Sequence, residues 1–108
     1  YDSNGLMIFR DNLKHEIKNR NVLLLLASAS TGTTVKNCIE CVSYYGGILQ
    51  GISAIFSAVD NVDGYHIDSL FKADDIPGYN IYSHNDCPMC KANEKIEAIV
   101  NGYGYSEL

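Results

Sequence analysis

The sequence predicts an α/β fold with a mostly parallel sheet, on three observations. The apolar run at residues 22–26 has the length of a strand that is buried on both faces, as in a parallel sheet. Residues 34–45 carry apolar side chains at helical spacing and stop at Gly46-Gly47. A second apolar segment at residues 52–58 predicts the next strand. A strand, a glycine-containing turn, a helix and a strand in this order form a βαβ unit.

The chain ahead of this unit predicts a short strand or hairpin and then a polar turn. Residues 6–9 are apolar, whereas residues 10–21 are mostly polar with charges of both signs. The leucines of residues 22–26 also suit a helix. The Ser/Thr/Gly cluster that follows them would end such a helix after about one turn, so a strand is predicted.

One apolar stripe defines the helix at residues 34–45. It occupies positions i, i+3, i+4 and i+7, which are Val35, Cys38, Ile39 and Val42. Thr33 or Thr34 can act as the N-cap. Downstream, residues 60–64 predict a polar turn and residues 65–70 a third strand. Pro77-Gly78 predicts another turn, and residues 91–108 show little periodicity.

The length and the net charge of the chain indicate its domain organisation and the kinds of partner it can bind. A chain of 108 residues predicts one domain over residues 1–108, which ends in a Cys-Pro-Met-Cys tail at 87–108. The net charge of −5, with only eight Lys and Arg, argues against binding to nucleic acid or to an anionic membrane surface. The longest apolar run, residues 22–27, is far too short to span a bilayer. No signal-peptide pattern opens the sequence, and we expect a cytoplasmic protein.

The chemistry concentrates in residues 28–34, which we call the hydroxyl-rich bend. This segment joins a strand to a helix N-terminus, and ligands of parallel sheets bind at the carboxyl ends of strands. A helix N-terminus offers unpaired N–H groups and a partial positive charge. Gly32 allows close approach of the backbone, and four hydroxyls add donors: Ser30, Thr31, Thr33 and Thr34. The bend therefore predicts a site for a phosphate monoester, and a Ser/Thr-rich cap without a ligand is the alternative. It is not a nucleoside-triphosphate loop, because no Gly-Lys-Ser/Thr follows.

Residues 22–34 resemble the thirteen-residue phosphoribosyl-diphosphate motif of type I phosphoribosyltransferases. That motif has four apolar residues, two acids, two apolar residues and a Thr/Ser-Thr-Gly-x-Thr loop. The flanks are similar to those of orotate phosphoribosyltransferases: Met7-Ile8-Phe9-Arg10, Tyr44-Tyr45-Gly46-Gly47, Pro77-Gly78-Tyr79 and Cys87-Pro88-Met89-Cys90-Lys91.

The resemblance implies a type I phosphoribosyltransferase fold without its N-terminal elements. It implies transfer of a phosphoribosyl group from phosphoribosyl diphosphate to orotate, with Mg²⁺, in pyrimidine nucleotide synthesis. The amides and hydroxyls of Ser30, Thr31, Gly32, Thr33 and Thr34 would hold the 5′-phosphate. Ser30 would also lie near the base, and Asn61 stands where the family has an Arg that binds the orotate carboxylate. A trimmed sheet edge would expose a strand, so we expect a homo-oligomer, such as a dimer.

The sequence departs from the family at positions that carry catalysis. The two acids of the motif fall on Leu26 and Ala27, whose side chains cannot accept a hydrogen bond or hold a cation. Residues 1–21 do not supply the pyrophosphate loop or the lysine-bearing loop of the family. The catalytic residues are therefore left unknown. A second hypothesis is a non-catalytic module that binds a nucleotide or sugar 5′-phosphate.

The four cysteines form two Cys-x-x-Cys pairs. Cys38 and Cys41 lie on or near the apolar side of the helix and read as small buried hydrophobes. The proline of Cys87-Pro-Met-Cys90 shapes a turn that could direct two thiolates at one Zn²⁺, and both pairs together could form a four-thiolate site. A zinc-stabilised interaction module is the third hypothesis, and a Cys87–Cys90 redox pair is a further alternative.

Overall fold

The computed structural model describes residues 2–108. It contains three helices: α1 (Asp11–Ile17), α2 (Thr33–Tyr44) and α3 (Pro88–Lys91). It contains six strands: β1 (Asn21–Ala29), β2 (Ile48–Ser57), β3 (Asn61–Val62), β4 (Tyr65–Lys72), β5 (Ala98–Asn101) and β6 (Gly104–Glu107). A short 3-10 turn, Ala73–Asp75, follows β4.

A four-stranded sheet in the order β1-β2-β4-β3 forms the centre of the molecule. The β1–β2 and β2–β4 pairs are parallel, and β3 pairs with β4 as a short antiparallel hairpin. The connection through α2 makes β1-α2-β2 a βαβ unit, so the predicted α/β class with a mostly parallel sheet is confirmed. Ala29 pairs with Ser57, and Ser57 pairs with Lys72. The carboxyl ends of the three long strands therefore meet at one edge of the sheet.

A small core lies between α2 and one face of the sheet. Val35 on α2 and the strand residues Ile52 and Ile67 are fully buried at its centre. Of the predicted stripe, Val35, Cys38 and Val42 are buried and Ile39 is half-buried against the core, and Cys41 is buried in addition. Gly46, at φ +76°, ends the helix as predicted.

The opposite face of the sheet remains open. Successive strand side chains point to opposite faces, and the residues that alternate away from α2 are exposed: Leu23, Leu25, Ile55 and Leu70. Leu25 is 69% exposed and Leu70 77% exposed. The prediction that the first strand is buried on both faces is therefore wrong. A continuous apolar run cannot distinguish two covered faces from one.

The N-terminal prediction is also wrong. Residues 6–10 form no strand, and α1 occupies part of the predicted polar turn. Residues 6–10 lie along α2 instead: the Met7 and Cys38 sulfur atoms are 3.4 Å apart, and the Phe9 ring meets Tyr45 edge-on with centroids 5.4 Å apart. Half-buried and exposed side chains alternate along residues 6–10 as in a strand. The segment forms no β-ladder because its neighbour is a helix, whose backbone groups are already hydrogen-bonded within the helix.

The turns and the C-terminal tail also differ in part from prediction. The predicted turn at 60–64 contains β3 and a tight loop at Asp63-Gly64, where both residues have positive φ. Residues 98–107, where little periodicity was found, form the β5–β6 hairpin. This hairpin forms a sheet of its own.

The radius of gyration is 16.9 Å, compared with about 13 Å for a compact domain of this length, so the molecule is elongated. Within residues 2–108, no helix combines the length and the apolar character needed to span a membrane.

Candidate functional site

The hydroxyl-rich bend lies at the carboxyl edge of the sheet, between the end of β1 and the start of α2. It surrounds a cavity of about 140 Å³, lined by residues 28–32 with Thr34 and Val35. A single water needs only about 10–15 Å³ of such space, so the cavity has room for a larger group. The bend is therefore open to a ligand, as the phosphate prediction requires.

Backbone donors at the start of α2 remain available. The N-cap is Gly32, and no side chain caps the helix, so the predicted Thr33 or Thr34 cap is wrong. The chain turns in the left-handed conformation at Gly32, which places both threonines within the helix. The amides of Thr34 and Val35 have no hydrogen-bond acceptor within residues 2–108. Two unpaired N–H groups therefore lie in residues that line the cavity.

Gly32 is required by backbone angle and by space. Its φ is +86°, and a Cβ atom placed on it would lie 2.9 Å from Cγ2 of Val62 and 3.7 Å from Cγ2 of Val59. The turn after β2 therefore packs directly against the bend. The space at this N-cap therefore admits glycine only, and glycine has no side chain with which to cap the helix amides.

The hydroxyls around the cavity form a local network. Oγ1 of Thr31 and Oγ1 of Thr33 are 3.1 Å apart, and the amide of Thr33 donates to Oγ1 of Thr31 over 3.4 Å. Ser30 and Thr34 are exposed. No acidic residue occurs in residues 28–35. The bend thus combines backbone donors, hydroxyls and a helix N-terminus without a negative charge.

The end of β1 does not fit a magnesium site. Leu26 packs against the core and Ala27 is exposed, and neither side chain carries an oxygen atom. Asp60, which follows β2 near the same edge, accepts a hydrogen bond from Nζ of Lys72 over 3.0 Å. Within residues 2–108, no set of oxygen ligands stands in place of the acid pair of type I phosphoribosyltransferases.

Asn61, predicted to lie near a base, is exposed on β3 and pairs with His66 of β4. Its neighbour Val62 is the residue that faces Gly32. Because adjacent strand residues point to opposite faces, the Asn61 side chain does not share that contact. Base recognition by Ser30 and Asn61 stays a prediction.

The two cysteine pairs occupy different environments. Cys38 and Cys41 are buried on α2, as predicted, and burial raises the pKa of both thiols. Cys87 is half-buried and Cys90 exposed at the start of α3. The amide of Cys90 donates to the Cys87 sulfur over 3.5 Å. Donation from the Cys90 amide and thiol lowers the pKa of Cys87, and the same sulfur contact raises the pKa of Cys90.

In the described part of the chain, no three His, Cys, Asp or Glu side chains are grouped so that they could hold a metal ion. The two cysteine pairs therefore do not come together as a four-thiolate centre in this structure. Zinc binding by either pair stays a prediction.

Sequence reasoning missed a larger cavity of about 460 Å³, which lies between residues 5–8 and the C-terminal half of α2. Glu40 and Tyr44 line it with the N-terminal segment. Only the aromatic pair Tyr44-Tyr45 signals it in the sequence. Its wall is a segment without regular structure, and we assign it no ligand.

A scan of protein-family models and a search of curated proteins found no match to this chain.

Proposed function

We propose that the chain is a phosphoribosyltransferase-like module that binds the 5′-phosphate of a nucleotide or sugar phosphate in the hydroxyl-rich bend. The observation that carries the proposal is the open cavity at the start of α2, where the amides of Thr34 and Val35 have no acceptor within the described residues. The resemblance of residues 22–34 to the phosphoribosyl-diphosphate motif supports the same ligand.

The electrostatics of the bend favour an anion. Aligned peptide dipoles place about half an elementary positive charge at the start of a helix such as α2. Hydrogen bonds from amides to phosphate oxygens are charge-assisted and about twice as strong as neutral ones. With no acid in residues 28–35, nothing in the bend opposes a phosphate dianion.

Transfer of a phosphoribosyl group to orotate is the second candidate function. It is favoured by Asp60-Asn61, which follows β2 after two residues, where the family has its Asp-Arg pair. Asn61 can donate a hydrogen bond to the orotate carboxylate, although without the charge and forked geometry of Arg. The family's acid pair at the end of β1 is replaced by Leu26 and Ala27, and for this reason we rank phosphate binding ahead of transfer.

Titration calorimetry with ribose 5-phosphate and with ribose tests the first proposal. We expect binding of ribose 5-phosphate without Mg²⁺ and no binding of ribose, because the phosphate supplies the charge that the bend recognises. Thr34→Asp should weaken binding at least about tenfold, which corresponds to about 1.4 kcal/mol. An acid in the first turn of α2 also favours the helix, so the fold should be retained.

The matched control is Ser43→Asp, which adds the same charge in the last turn of the same helix. It should leave the affinity unchanged within about twofold, since most of the dipole effect is confined to a helix terminus. Equal losses in both variants, or no binding of ribose 5-phosphate by the unaltered chain, would overturn the phosphate proposal. Mg²⁺-dependent binding of phosphoribosyl diphosphate, with formation of orotidine monophosphate from orotate, would instead establish the transferase.

A further inference from the structure

We propose that Cys87 and Cys90 form a reversible dithiol–disulfide pair, which exchanges with small disulfides independently of the phosphate site. The proposal rests on the geometry of the Cys-Pro-Met-Cys turn and on its contrast with the second pair of the same spacing. No step of the phosphate-binding proposal uses either thiol.

The two sulfur atoms lie on one turn of chain. The Cys90 amide is 3.5 Å from the Cys87 sulfur, and the amide of Lys91 donates to the Cys87 carbonyl oxygen over 3.1 Å. Cys87 is the N-cap of α3 and Cys90 lies in its first turn, so the contact from the Cys87 sulfur to the Cys90 amide brings the two residues together. A disulfide requires Cβ atoms about 3.5–4.5 Å apart, so closing the bond needs only a small shift.

The location of the pair allows that shift and allows a reagent to reach it. Cys90 is exposed, and α3 has no buried residue. Residues 80–86 and 91–97, on either side of the Cys-Pro-Met-Cys turn, are all exposed. Because the turn is not held within the core, forming the bond does not require repacking of buried side chains.

Cys38 and Cys41 provide an internal comparison. They have the same spacing, but both are buried within α2, and the Cys38 sulfur contacts Met7. Cys41 also lines the cavity of about 460 Å³, but the two side chains are only 7% and 5% exposed, so a small disulfide reaches them far less readily than the tail pair. The Cys-x-x-Cys spacing alone therefore does not make a pair reactive in this chain. The two pairs differ in solvent exposure, and the tail pair is far more accessible to a reagent.

The reaction is thiol–disulfide exchange with a low-molecular-weight disulfide as the oxidant. The Cys87 thiolate attacks one sulfur of that disulfide, the S–S bond breaks, and one small thiolate leaves with the electron pair. Cys90 then loses its proton to solvent and attacks the Cys87 sulfur, which releases the second small thiolate. Two protein thiols are oxidised to one disulfide, and one external disulfide is reduced to two thiols.

The test is to incubate the full chain, with a chelator present, in mixtures of reduced and oxidised glutathione. The mixtures are quenched in acid, free thiols are alkylated under denaturing conditions, and peptides are analysed by mass spectrometry. We expect the peptide that contains both tail cysteines to lose two hydrogens as the oxidised fraction rises, and to regain them on return to reduced glutathione. Cys38 and Cys41 should stay reduced throughout.

Single variants separate the two steps. Cys90→Ser should accumulate a mixed disulfide between Cys87 and glutathione, because the resolving thiol is absent. Cys41→Ser is the matched control and should leave the tail disulfide unchanged. Mixed disulfides at both tail cysteines without an internal bond, or oxidation of all four cysteines alike, would overturn the proposal. In a parallel incubation without the chelator, tail thiols that stay protected until the chelator is added would overturn the proposal in favour of a metal site.

Discussion

Gly32 is the residue on which the bend depends, because its backbone is left-handed and the surrounding side chains leave no room for a Cβ atom.

Also at the residue scale, the hydroxyls of Ser57 and Ser69 differ in whether they have a hydrogen-bond partner beside the core. The Ser57 hydroxyl donates to the carbonyl oxygen of Val59 over 2.6 Å. The Ser69 hydroxyl is buried without a partner among the described residues.

Gly32→Ala should destabilise the chain more than Gly64→Ala. Both glycines have positive φ, at +86° and +82°, but a Cβ on Gly64 would meet nothing within 4 Å. The backbone penalty of about 1–2 kcal/mol is therefore shared, and the clash with Val62 adds about 1–3 kcal/mol at Gly32 alone. Urea denaturation measures both variants, and equal losses would contradict the proposed contact.

Ser69→Ala should raise the free energy of unfolding, whereas Ser57→Ala should lower it. An unpaired buried hydroxyl costs about 1–3 kcal/mol, and a satisfied one contributes about 1 kcal/mol. Changes of the same sign in urea denaturation of the two variants would show that Ser69 finds a partner in solution.

Iodoacetamide should alkylate Cys87 before Cys90, and both before Cys38 and Cys41. The lowered pKa of Cys87 increases its thiolate fraction at a given pH, whereas burial raises the pKa of the two helix thiols and blocks access to them. Timed quenching with peptide mass spectrometry gives the order. Modification of Cys38 ahead of Cys87 would contradict it.

At the scale of elements, the sequence predicted the helices and strands whose pattern is set by nearby residues in the chain. It failed where the structure of a segment depends on the element that packs against it. Most of the stripe of α2, its end at Gly46 and the succession of strand, helix and strand along the chain follow from spacing and glycines. Residues 6–9 have a strand pattern, but the tertiary neighbour is a helix. The bend was predictable in position, since hydroxyls and Gly32 mark it. Its cap at Gly32 lies against Val62, a contact that the sequence does not reveal.

The free edge of β1 supports the proposed homo-oligomer. β1 ends the strand order, so its outer backbone groups have no partner within the sheet, and Leu23 and Leu25 are exposed beside them. A second copy related by a two-fold axis would present the same edge in the antiparallel direction.

Leu25→Lys should therefore shift a dimer towards monomer by about tenfold or more in dissociation constant, because it places a positive charge beside the pairing edge in both copies. Analytical ultracentrifugation measures this shift. Ile99→Lys, an exposed apolar position on the separate hairpin, is the control and should leave the dimer intact. A single monomeric species for the unaltered chain at high concentration would contradict the proposal.

At the scale of the whole molecule, the chain divides into a packed βαβ sheet and an extended C-terminal tail. The buried hydrophobic residues all lie between Ala29 and Ile67, and the β5–β6 hairpin pairs only with itself. The aromatic contact of Phe56 with Tyr79, with ring centroids 5.1 Å apart, is the last marked packing contact before the tail.

Limited proteolysis should therefore cut first within residues 80–87 and leave a folded fragment that contains the sheet. This segment is almost entirely exposed and has no helix or strand, so its backbone can enter a protease site without global unfolding. Mass spectrometry locates the cut. First cleavage inside β2 or α2 would show that the sheet is not the stable part.

Because α2 starts on Gly32 and no side chain caps it, its first amides would bind a ligand together with the hydroxyls of the bend. The groups that would grip an oxyanion at Thr34 and Val35 are peptide N–H groups, which every residue except proline possesses. Substitution of the threonines could thus remove their hydroxyls and still leave these backbone donors in place, as long as the left-handed conformation at Gly32 is retained. Sites of this kind depend on backbone conformation and are therefore difficult to identify from the sequence alone.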